Sequence, residues 1–311
     1  MQQEKFQPDS TPLYITYKAE LILLLVTFTW GLSFPMIKLS LTGISPMAFI
    51  LIRFTITLAL YLIFFGKKIK ISDYSAWKYG LLLGVFLFCG FGFQTMGLKY
   101  TSASKSAFIT GTSLIIIPFA QFLILNSRPK AENIAGALIV LAGLVILSES
   151  YILTPNFGDV LTLICAFSFA VHIVLLDKYS RSVNFSYLVF GQFLAMVVLS
   201  LLSVIIFELF VFGDFFIVFN SDLIFPLLFT SLFSTFISII LMTKYQNKTS
   251  PLRAGIIYNM ESLFAVFFSY LLINERLNFP QITGALLMIT GLFISEFYSL
   301  FKIKYSGGKE I

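Results

Sequence analysis

The chain has 311 residues, of which 58% are hydrophobic and only 12% are charged, and its formal net charge is +6. This charged fraction is about half that of ordinary soluble domains, so the polar side chains cannot cover a water-soluble globule. The long apolar stretches leave little polar chain, which excludes a soluble catalytic domain and gives no support to nucleic-acid binding.

Ten apolar runs follow one another along the chain, each near or above the roughly 20 residues that a helix needs to cross a bilayer. They cover residues 19–39, 46–66, 77–98, 102–125, 134–150, 158–178, 185–209, 223–244, 251–273 and 280–301. The sequence therefore predicts an all-α integral membrane protein of ten transmembrane helices. Short tails are expected at residues 1–18 and 302–311, and the first run is too long for a cleaved signal peptide.

Positive charge is distributed unevenly between the two sides that these spans define. With the N-terminus inside, sixteen Lys and Arg residues fall in cytoplasmic segments, four fall outside, and Arg53 lies within a span. Cytoplasmic loops of membrane proteins carry an excess of Lys and Arg. We therefore expect the plasma, or inner, membrane with both termini and the 66–78 loop in the cytoplasm, and with the 210–222 loop outside.

An internal repeat relates the two halves of the chain. A shift of 148 residues aligns residues 126–144 with 274–292 at eight of 19 positions. The same shift pairs two positions at the start of the fourth and ninth spans, Thr101 with Thr249 and Lys105 with Arg253. This degree of identity exceeds what a shared apolar bias readily produces, and it indicates a duplicated unit.

The predicted repeats are residues 19–150 and 151–301, with five spans each. Because five is odd, the second copy must enter the membrane from the opposite side, so the two five-helix repeats are predicted to be inverted. Many secondary transporters use inverted repeats for alternating access, with a site near the bilayer midplane. This architecture favours transport of a small molecule.

Glycines at helical spacing predict close contacts between helices. They are Gly80 and Gly84 in the third span, Gly136 and Gly143 in the fifth, and Gly284 and Gly291 in the tenth. Small residues let helix backbones approach one another inside a membrane. We interpret these glycines as packing seams and not as substrate contacts.

Six short strings form a pattern by their order and spacing. They are WGLSFPMIK at 30–38, PMAFILIRF at 46–54, GLKYTSASKSAFITG at 97–111, SLIIIPFAQFLIL at 113–125, NMESLFAVFFSYLLINERL at 259–277 and QITGALLMITGL at 281–292. Together they resemble EamA-type members of the drug/metabolite transporter superfamily, over about residues 20–300. The resemblance implies proton- or gradient-linked export, or exchange, of an amino acid, a nucleotide-like metabolite, a drug or a quaternary amine.

The chain departs from the family pattern at two positions. The family usually has Glu before Arg at the end of the fourth span, as Glu275 and Arg276 show in the ninth, but the first half has Ser127. The usual Glu-Pro pair of the ninth span is here Glu261 and Ser262, so the residue that would break this helix is absent.

Glu261 is the leading candidate for the substrate or coupling site, because ionisable groups within a membrane are costly and suggest function. It lies near the middle of the ninth span beside Asn259, and Tyr258 shares its helical face. The carboxylate could receive a cationic group, or take up and release a proton as access alternates. The alternative is a carboxyl that only hydrogen-bonds between helices.

Two further ionisable side chains lie within spans. His172, the only histidine, sits in the sixth span and is of the type that ordinarily titrates near neutral pH, although it could equally be a neutral hydrogen-bonding group. Arg53 lies about two turns into the second span and could attract an anionic group of the substrate. Because the family shows arginine here across different substrates, the resemblance implies a structural or gating role.

Uncharged side chains complete the predicted site, in a cavity walled by the first, third, fourth, sixth, eighth and ninth spans. The candidates are Trp30, Gln94, Thr110 and Gln192. Trp30 could stack on a ring or hold an ammonium group by cation–π attraction, or simply pack. No catalytic residue, cofactor or metal is expected, since both cysteines lie within spans and are interpreted as packing residues.

Two other classes of protein are alternatives to a transporter. A membrane-embedded enzyme would need a His-rich cluster, paired aspartates or a nucleophile with its base, and the sequence has none of these. A receptor or assembly scaffold stays open, although it would need neither inverted repeats nor a central acid. The expected partners are a small-molecule substrate and the lipid bilayer, while proton coupling and a homodimer remain open.

Overall fold

The computed structural model describes residues 13–69, 74–147, 156–273 and 279–305. Over these ranges the chain is almost entirely helical, and the nearest approach to a strand is one isolated bridge between Ile44 and Ile217. Predictions on residues outside the ranges, including Glu275, Arg276, part of the 66–78 loop and most of both tails, lie outside the described structure.

The described residues form twelve α-helices with two π-helical segments between them. The α-helices are α1 Leu13–Ser40, α2 Pro46–Phe65, α3 Tyr74–Tyr100, α4 Ala103–Gly111, α5 Ser113–Leu125, α6 Ala131–Leu147, α7 Phe157–Ser180, α8 Phe185–Ser203, α9 Ser221–Phe229, α10 Ser238–Tyr245, α11 Pro251–Ile273 and α12 Phe279–Tyr305. The π segments are Val204–Val211, which continues α8, and Thr230–Ile237, which joins α9 to α10.

Eight stretches of helix are long and apolar enough to cross a membrane. They correspond to the predicted spans one to four and six to nine, so an all-helical membrane protein is confirmed. The apolar parts of α6 and α12 are shorter, Ala131–Ile146 and Ile282–Ile294. At 1.5 Å per residue they span less than the ~30 Å hydrocarbon core, so the count of ten spans stays a prediction.

The glycine seams predicted from the sequence are contacts between helix backbones. A Cβ on Gly143 would lie 2.6 Å from the carbonyl oxygen of Gly284, and a Cβ on Gly291 would lie 2.8 Å from that of Gly136. These pairs hold α6 against α12. Gly80 makes an equally close approach to α8, where a Cβ would lie 2.6 Å from a carbonyl oxygen. Only glycine allows these distances.

The π segment Thr230–Ile237 supplies backbone acceptors to neighbouring helices. Side chains on α1 and α2 use them: Trp30 Nε1 donates to the Ser234 carbonyl at 2.9 Å, and Thr57 Oγ1 donates to the Ser231 carbonyl at 3.0 Å. A π turn departs from the regular bonding pattern of an α-helix, and such turns are frequent at functional sites. The π segment therefore anchors α1 and α2 through these two hydrogen bonds.

Helix α11 is continuous past Glu261, as the missing proline predicts. Ser262 instead donates its hydroxyl to the Ala107 carbonyl on α4 at 2.8 Å. The serine thus joins two helices from different halves of the chain, where a proline could make no such bond.

Candidate functional site

A cavity of about 50 Å³ lies between the two halves of the chain. Its walls come from α1, α3, α4, α5, α7, α10 and α11, which belong to the six spans named from the sequence. This volume holds a few water molecules. Seven of the nine candidate site residues named from the sequence line it: Trp30, Gln94, Thr110, His172, Tyr258, Asn259 and Glu261. Their part in binding stays a prediction.

Among the described residues that line the cavity, Glu261 is the one that carries a carboxyl group. Its side chain is 9% exposed, and no hydrogen bond or ion pair from the described residues reaches the carboxyl group. Lys and Arg are absent from the described residues that line the cavity. A buried charge without a partner is costly in a membrane, so this carboxyl can be stabilised by a proton or by a cationic ligand.

An aromatic wall stands beside Glu261. The ring centroids of Trp30 and Tyr258 are 5.3 Å apart, at an interplanar angle of 54°. Both rings are anchored by their polar atoms, Trp30 to the π segment and Tyr258 through its hydroxyl, which donates to Gln246 Oε1 at 3.1 Å. Gln246 in turn donates to the Ile173 carbonyl at 2.7 Å. The wall is therefore held in place before any ligand arrives.

His172 lines the cavity and is oriented by Gln192, which lies outside the lining. Gln192 Nε2 donates to the Leu188 carbonyl at 3.2 Å and to Thr243 Oγ1 at 3.4 Å, so its Oε1 is the acceptor for His172 Nε2 at 2.9 Å. The imidazole therefore carries its proton on Nε2 when neutral. Nδ1 finds no partner among the described residues.

Gln94 and Thr110 are bonded to each other, and Asn259 is half satisfied. Gln94 Nε2 donates to Thr110 Oγ1 at 3.1 Å. Asn259 Nδ2 donates to the Gly255 carbonyl one turn back at 3.1 Å, whereas its Oδ1 has no partner among the described residues. A Cβ at Gly111 would lie 2.5 Å from that oxygen, so a larger residue there would displace the Asn259 amide.

Arg53 does not line the cavity, so its attraction for an anionic group of the substrate stays a prediction. It is fully buried, with its Nε donating to Thr235 Oγ1 of the π segment. Its Cζ lies 4.9 Å from the ring centroid of Phe91, and Phe91 does line the cavity. The phenylalanine thus stands between the guanidinium and the cavity.

Sequence reasoning missed several lining residues and four buried acidic residues of the described chain, among them Glu20 and Asp159. Phe91 and Phe169 line the cavity, but nothing in the sequence separates them from the other phenylalanines, of which there are 37 in all. Glu20 and Asp159 accept hydrogen bonds from the repeat-related Thr249 and Thr101. The repeat had marked the two donors, but their acceptors lie far away along the chain.

The match to a family model agrees with this geometry. The model of the EamA-like transporter family matches residues 17–149 and again residues 156–297. The chain belongs to the EamA-like transporter family. It is therefore a membrane transporter built from two copies of the EamA unit, and the resemblance to the drug/metabolite transporter superfamily is confirmed.

Relatives of this EamA-like chain are named as transporters. An uncharacterized transporter of Archaeoglobus fulgidus is 34% identical over 276 residues, covering 89% of this chain and 85% of the relative. A probable amino-acid metabolite efflux pump of Escherichia coli is 24% identical over 292 residues, covering 90% and 95%. These names point to a transporter and not to an enzyme.

One solved crystal structure shares the fold. It superposes with a TM-score of 0.72 at 18% identity, covering 89% of this chain and 97% of that chain. At this identity the likeness shows the fold alone.

Proposed function

We propose that this EamA-like protein exports a small amine-bearing metabolite by alternating access, with Glu261 as the group that receives either the amine or a proton. The observation that carries the proposal is the Glu261 carboxyl, which is buried in the cavity without a partner among the described residues. A buried carboxylate that has no partner in the protein must be neutralised by a proton or by a cation that passes through the cavity. Proton and cation then compete for one group, which couples their movements in opposite directions.

The aromatic lining supports a cationic substrate. Trp30 and Tyr258 line the cavity together with Glu261. Phe91 of α3 and Phe169 of α7 belong to the same lining. Aromatic faces attract ammonium groups, by about 2 kcal/mol or more where water is excluded. The name of the Escherichia coli relative, a probable amino-acid metabolite efflux pump, agrees with an amine and with export.

Two repeat-related ion pairs support alternating access. Lys105 at the start of α4 pairs with Asp159 on α7 at 2.7 Å, and Thr101 donates to the same carboxylate at 3.0 Å. Arg253 at the start of α11 forms an ion pair with Glu20 on α1 at 2.9 Å, and Thr249 donates to the same carboxylate at 2.9 Å. We name these two groups of residues the Asp159 cluster and the Glu20 cluster. Each cluster joins the fourth helix of one repeat to the first helix of the other.

The two clusters lie at opposite ends of α1, with the cavity between them. Glu20 is near one end of this helix, and Lys38 at the other end donates to the carbonyl of Thr101 at 2.9 Å. Eighteen residues at 1.5 Å each separate these ends by about 27 Å, close to the thickness of the hydrocarbon core. Trp30 lies about halfway along. Both clusters are formed, so in the proposed cycle each would have to break for the cavity to open toward its own end.

The repeat-related positions of Lys105 and Arg253 also support the inverted repeats, while the ten spans and the orientation rest on the apolar runs and on the distribution of charge. Equivalent residues of the two copies meet the membrane boundary at opposite ends of α1, as inversion requires. With both termini cytoplasmic in a plasma membrane, the Glu20 cluster closes the cytoplasmic end and the Asp159 cluster the outer end. The first acts as the inner gate and the second as the outer gate.

Thermal unfolding of the purified protein against a panel of small amines tests the proposal. A ligand that binds only the folded state raises its stability, by about 2.7 kcal/mol at one hundred times its Kd. We expect at least one amine to stabilise the wild type and not Glu261→Gln. Asp222→Asn, which changes an exposed carboxylate, is the matched control and should respond like the wild type. Equal stabilisation of Glu261→Gln would overturn the assignment of Glu261.

A further inference from the structure

Arg53 is a fully buried cation with most of its hydrogen-bonding capacity unused. Its Nε donates to Thr235, but Nη1 and Nη2 have no hydrogen-bond partner among the described residues. A guanidinium group carries five N–H donors, so a role in joining α2 to the π segment uses one of them and leaves four. A side chain that served structure alone would be expected to place them on carbonyl groups.

Aromatic rings cover the guanidinium without satisfying it. Phe91 lies 4.9 Å from Cζ and Phe54 lies 5.7 Å from it, both measured to the ring centroids. Cation–π attraction offsets part of the cost of burying the charge. It supplies no oxygen acceptor for the two terminal nitrogens, so the fork that ordinarily binds two oxygens in one plane is unoccupied by protein groups of the described residues.

Phe91 connects this fork to the cavity, because its ring contacts the guanidinium and also belongs to the cavity lining. The same ring that covers Arg53 also lines the cavity, and it touches Phe169 of the adjacent helix α7 at a centroid distance of 5.3 Å. Turning this one side chain would open the cavity toward Arg53. The cavity would then have a carboxylate on one wall and a guanidinium on another.

We infer that Arg53 is the subsite for a carboxylate of the transported molecule, reached when Phe91 turns aside. The substrate class is then a small zwitterion that carries an amine for Glu261 and a carboxylate for Arg53. This inference rests on the proposed function for the amine half. The guanidinium half is independent of it, because it follows from the unused fork of Arg53 and the position of Phe91.

Charge balance and shape favour a carboxylate over other anions. Arg53 and Glu261 carry opposite charges, so a neutral zwitterion leaves no net charge in a dry cavity, whereas a phosphate dianion would leave an excess. Two parallel N–H···O bonds match the planar carboxylate, and bonds between charged groups are about twice as strong as neutral ones. A spherical ion such as chloride would be attracted by the positive charge of Arg53 but could not accept two parallel hydrogen bonds in the plane of the guanidinium.

The test compares amino acids with the amines that result from removing their carboxylate. Alanine with ethylamine, leucine with 3-methylbutylamine and phenylalanine with phenethylamine serve as probes, and the dissociation constant of each comes from thermal unfolding in detergent. We expect the wild type to bind the amino acid of at least one pair about 10-fold more tightly than its amine. Arg53→Gln should abolish this preference, and Arg53→Lys should keep only part of it.

Two further variants keep the test decisive. Thr235→Val removes the bond to Arg53 Nε but leaves the terminal nitrogens intact, so it should lower the melting temperature and preserve the preference. Phe91→Ala removes the cover, so it should strengthen amino-acid binding more than amine binding, and it decides the matter if the Arg53 variants do not fold.

Each outcome separates this inference from the proposed function. Amines that bind without preference for the carboxylate, or a preference that survives in Arg53→Gln or is unchanged in Phe91→Ala, would overturn the role of Arg53 alone. A wild type that binds no probe of either kind would overturn the proposed function, and the inference with it.

Discussion

At the scale of single residues, the polar groups of the cavity divide into those that hold the walls and those left unused. The Trp30 indole, the Tyr258 hydroxyl and the Gln94 amide all donate to protein acceptors. The Glu261 carboxyl and the Asn259 Oδ1 have no partner among the described residues. An unmade hydrogen bond in a buried site is costly, so a ligand gains most binding free energy by bonding to the Glu261 carboxyl and the Asn259 Oδ1.

Glu261→Gln should leave the protein folded and reduce substrate flux at least about 10-fold, or remove its dependence on pH. Gln keeps the shape and most of the hydrogen-bonding capacity of Glu, but it can neither carry negative charge nor exchange a proton. Flux into vesicles across a range of pH, with the melting temperature measured alongside, distinguishes chemistry from packing. Normal flux with a normal pH profile would assign Glu261 a structural role and make His172 the next candidate.

At the scale of helices, the two EamA units are joined by contacts of two kinds. Glycine seams bring α6 against α12 and α3 against α8 at backbone distance, so these pairs should move as rigid units. The two ion-pair clusters join helices of different repeats through a few polar bonds. Such contacts can break and re-form at lower cost than a packed seam, which suits gates that open in turn.

Gly143→Ala should lower stability by about 1–3 kcal/mol, because its Cβ would meet the Gly284 carbonyl oxygen at 2.6 Å and force α6 and α12 apart. Gly92→Ala is the matched control within a helix, since the nearest atom to its Cβ would lie at an ordinary 3.7 Å. Alanine favours helix over glycine, so the control should be neutral or slightly stabilising. Denaturation of both variants in the same detergent gives the comparison, and equal stabilities would refute the seam.

Neutralising each gate should open the cavity to one side only. Asp159→Asn weakens the outer cluster, and a partly buried pair worth about 1 kcal/mol shifts the balance of conformations about 5-fold. A cysteine at Ser33 in the cavity should then react faster with an impermeant maleimide from outside, once the two native cysteines are replaced. Glu20→Gln should speed the reaction from the cytoplasmic side instead.

Asp177→Asn is the control for both gate variants. It breaks the pair between Asp177 and Arg181, which lies at the C-terminal end of α7 and does not join the two halves. Reactivity at Ser33→Cys should therefore match the unaltered protein from either side. If Asp159→Asn and Glu20→Gln raised the reactivity from the same side, the clusters could not be opposite gates.

At the scale of the whole molecule, the predicted inversion and orientation rest on the number of spans expected in each repeat and on the distribution of positive charge. The loop between the π segment Val204–Val211 and α9 should face outward together with the start of α2. The structure brings these two regions together, since Val218 N donates to the Gly43 carbonyl at 2.7 Å and Glu208 accepts from Met47 N at 2.7 Å.

Cysteine labelling of intact cells tests this orientation. Ser221→Cys should react with an impermeant maleimide at once, whereas Lys67→Cys should react only after the membrane is opened. Both positions are exposed, so accessibility within the protein does not bias the comparison. The reverse pattern would invert the molecule and exchange the inner and outer gates.

The sequence by itself determined the features that depend on local composition and spacing. Apolar runs long enough to cross a bilayer identified a helical membrane protein, glycines seven residues apart marked helix faces that pack closely, and ordered motifs indicated the EamA family. The six spans that wall the cavity also followed, because polar residues inside a membrane ordinarily face the interior.

The tertiary structure alone decided which side chains meet. Whether Arg53 reaches the cavity, which phenylalanine covers it, and which carboxylates accept from Thr101 and Thr249 all depend on the rotation of each helix about its axis. Hydropathy does not determine that rotation when nearly every face of a helix is apolar. It is set by packing between helices far apart in the sequence, which brings Phe91 both against Arg53 and into the cavity lining.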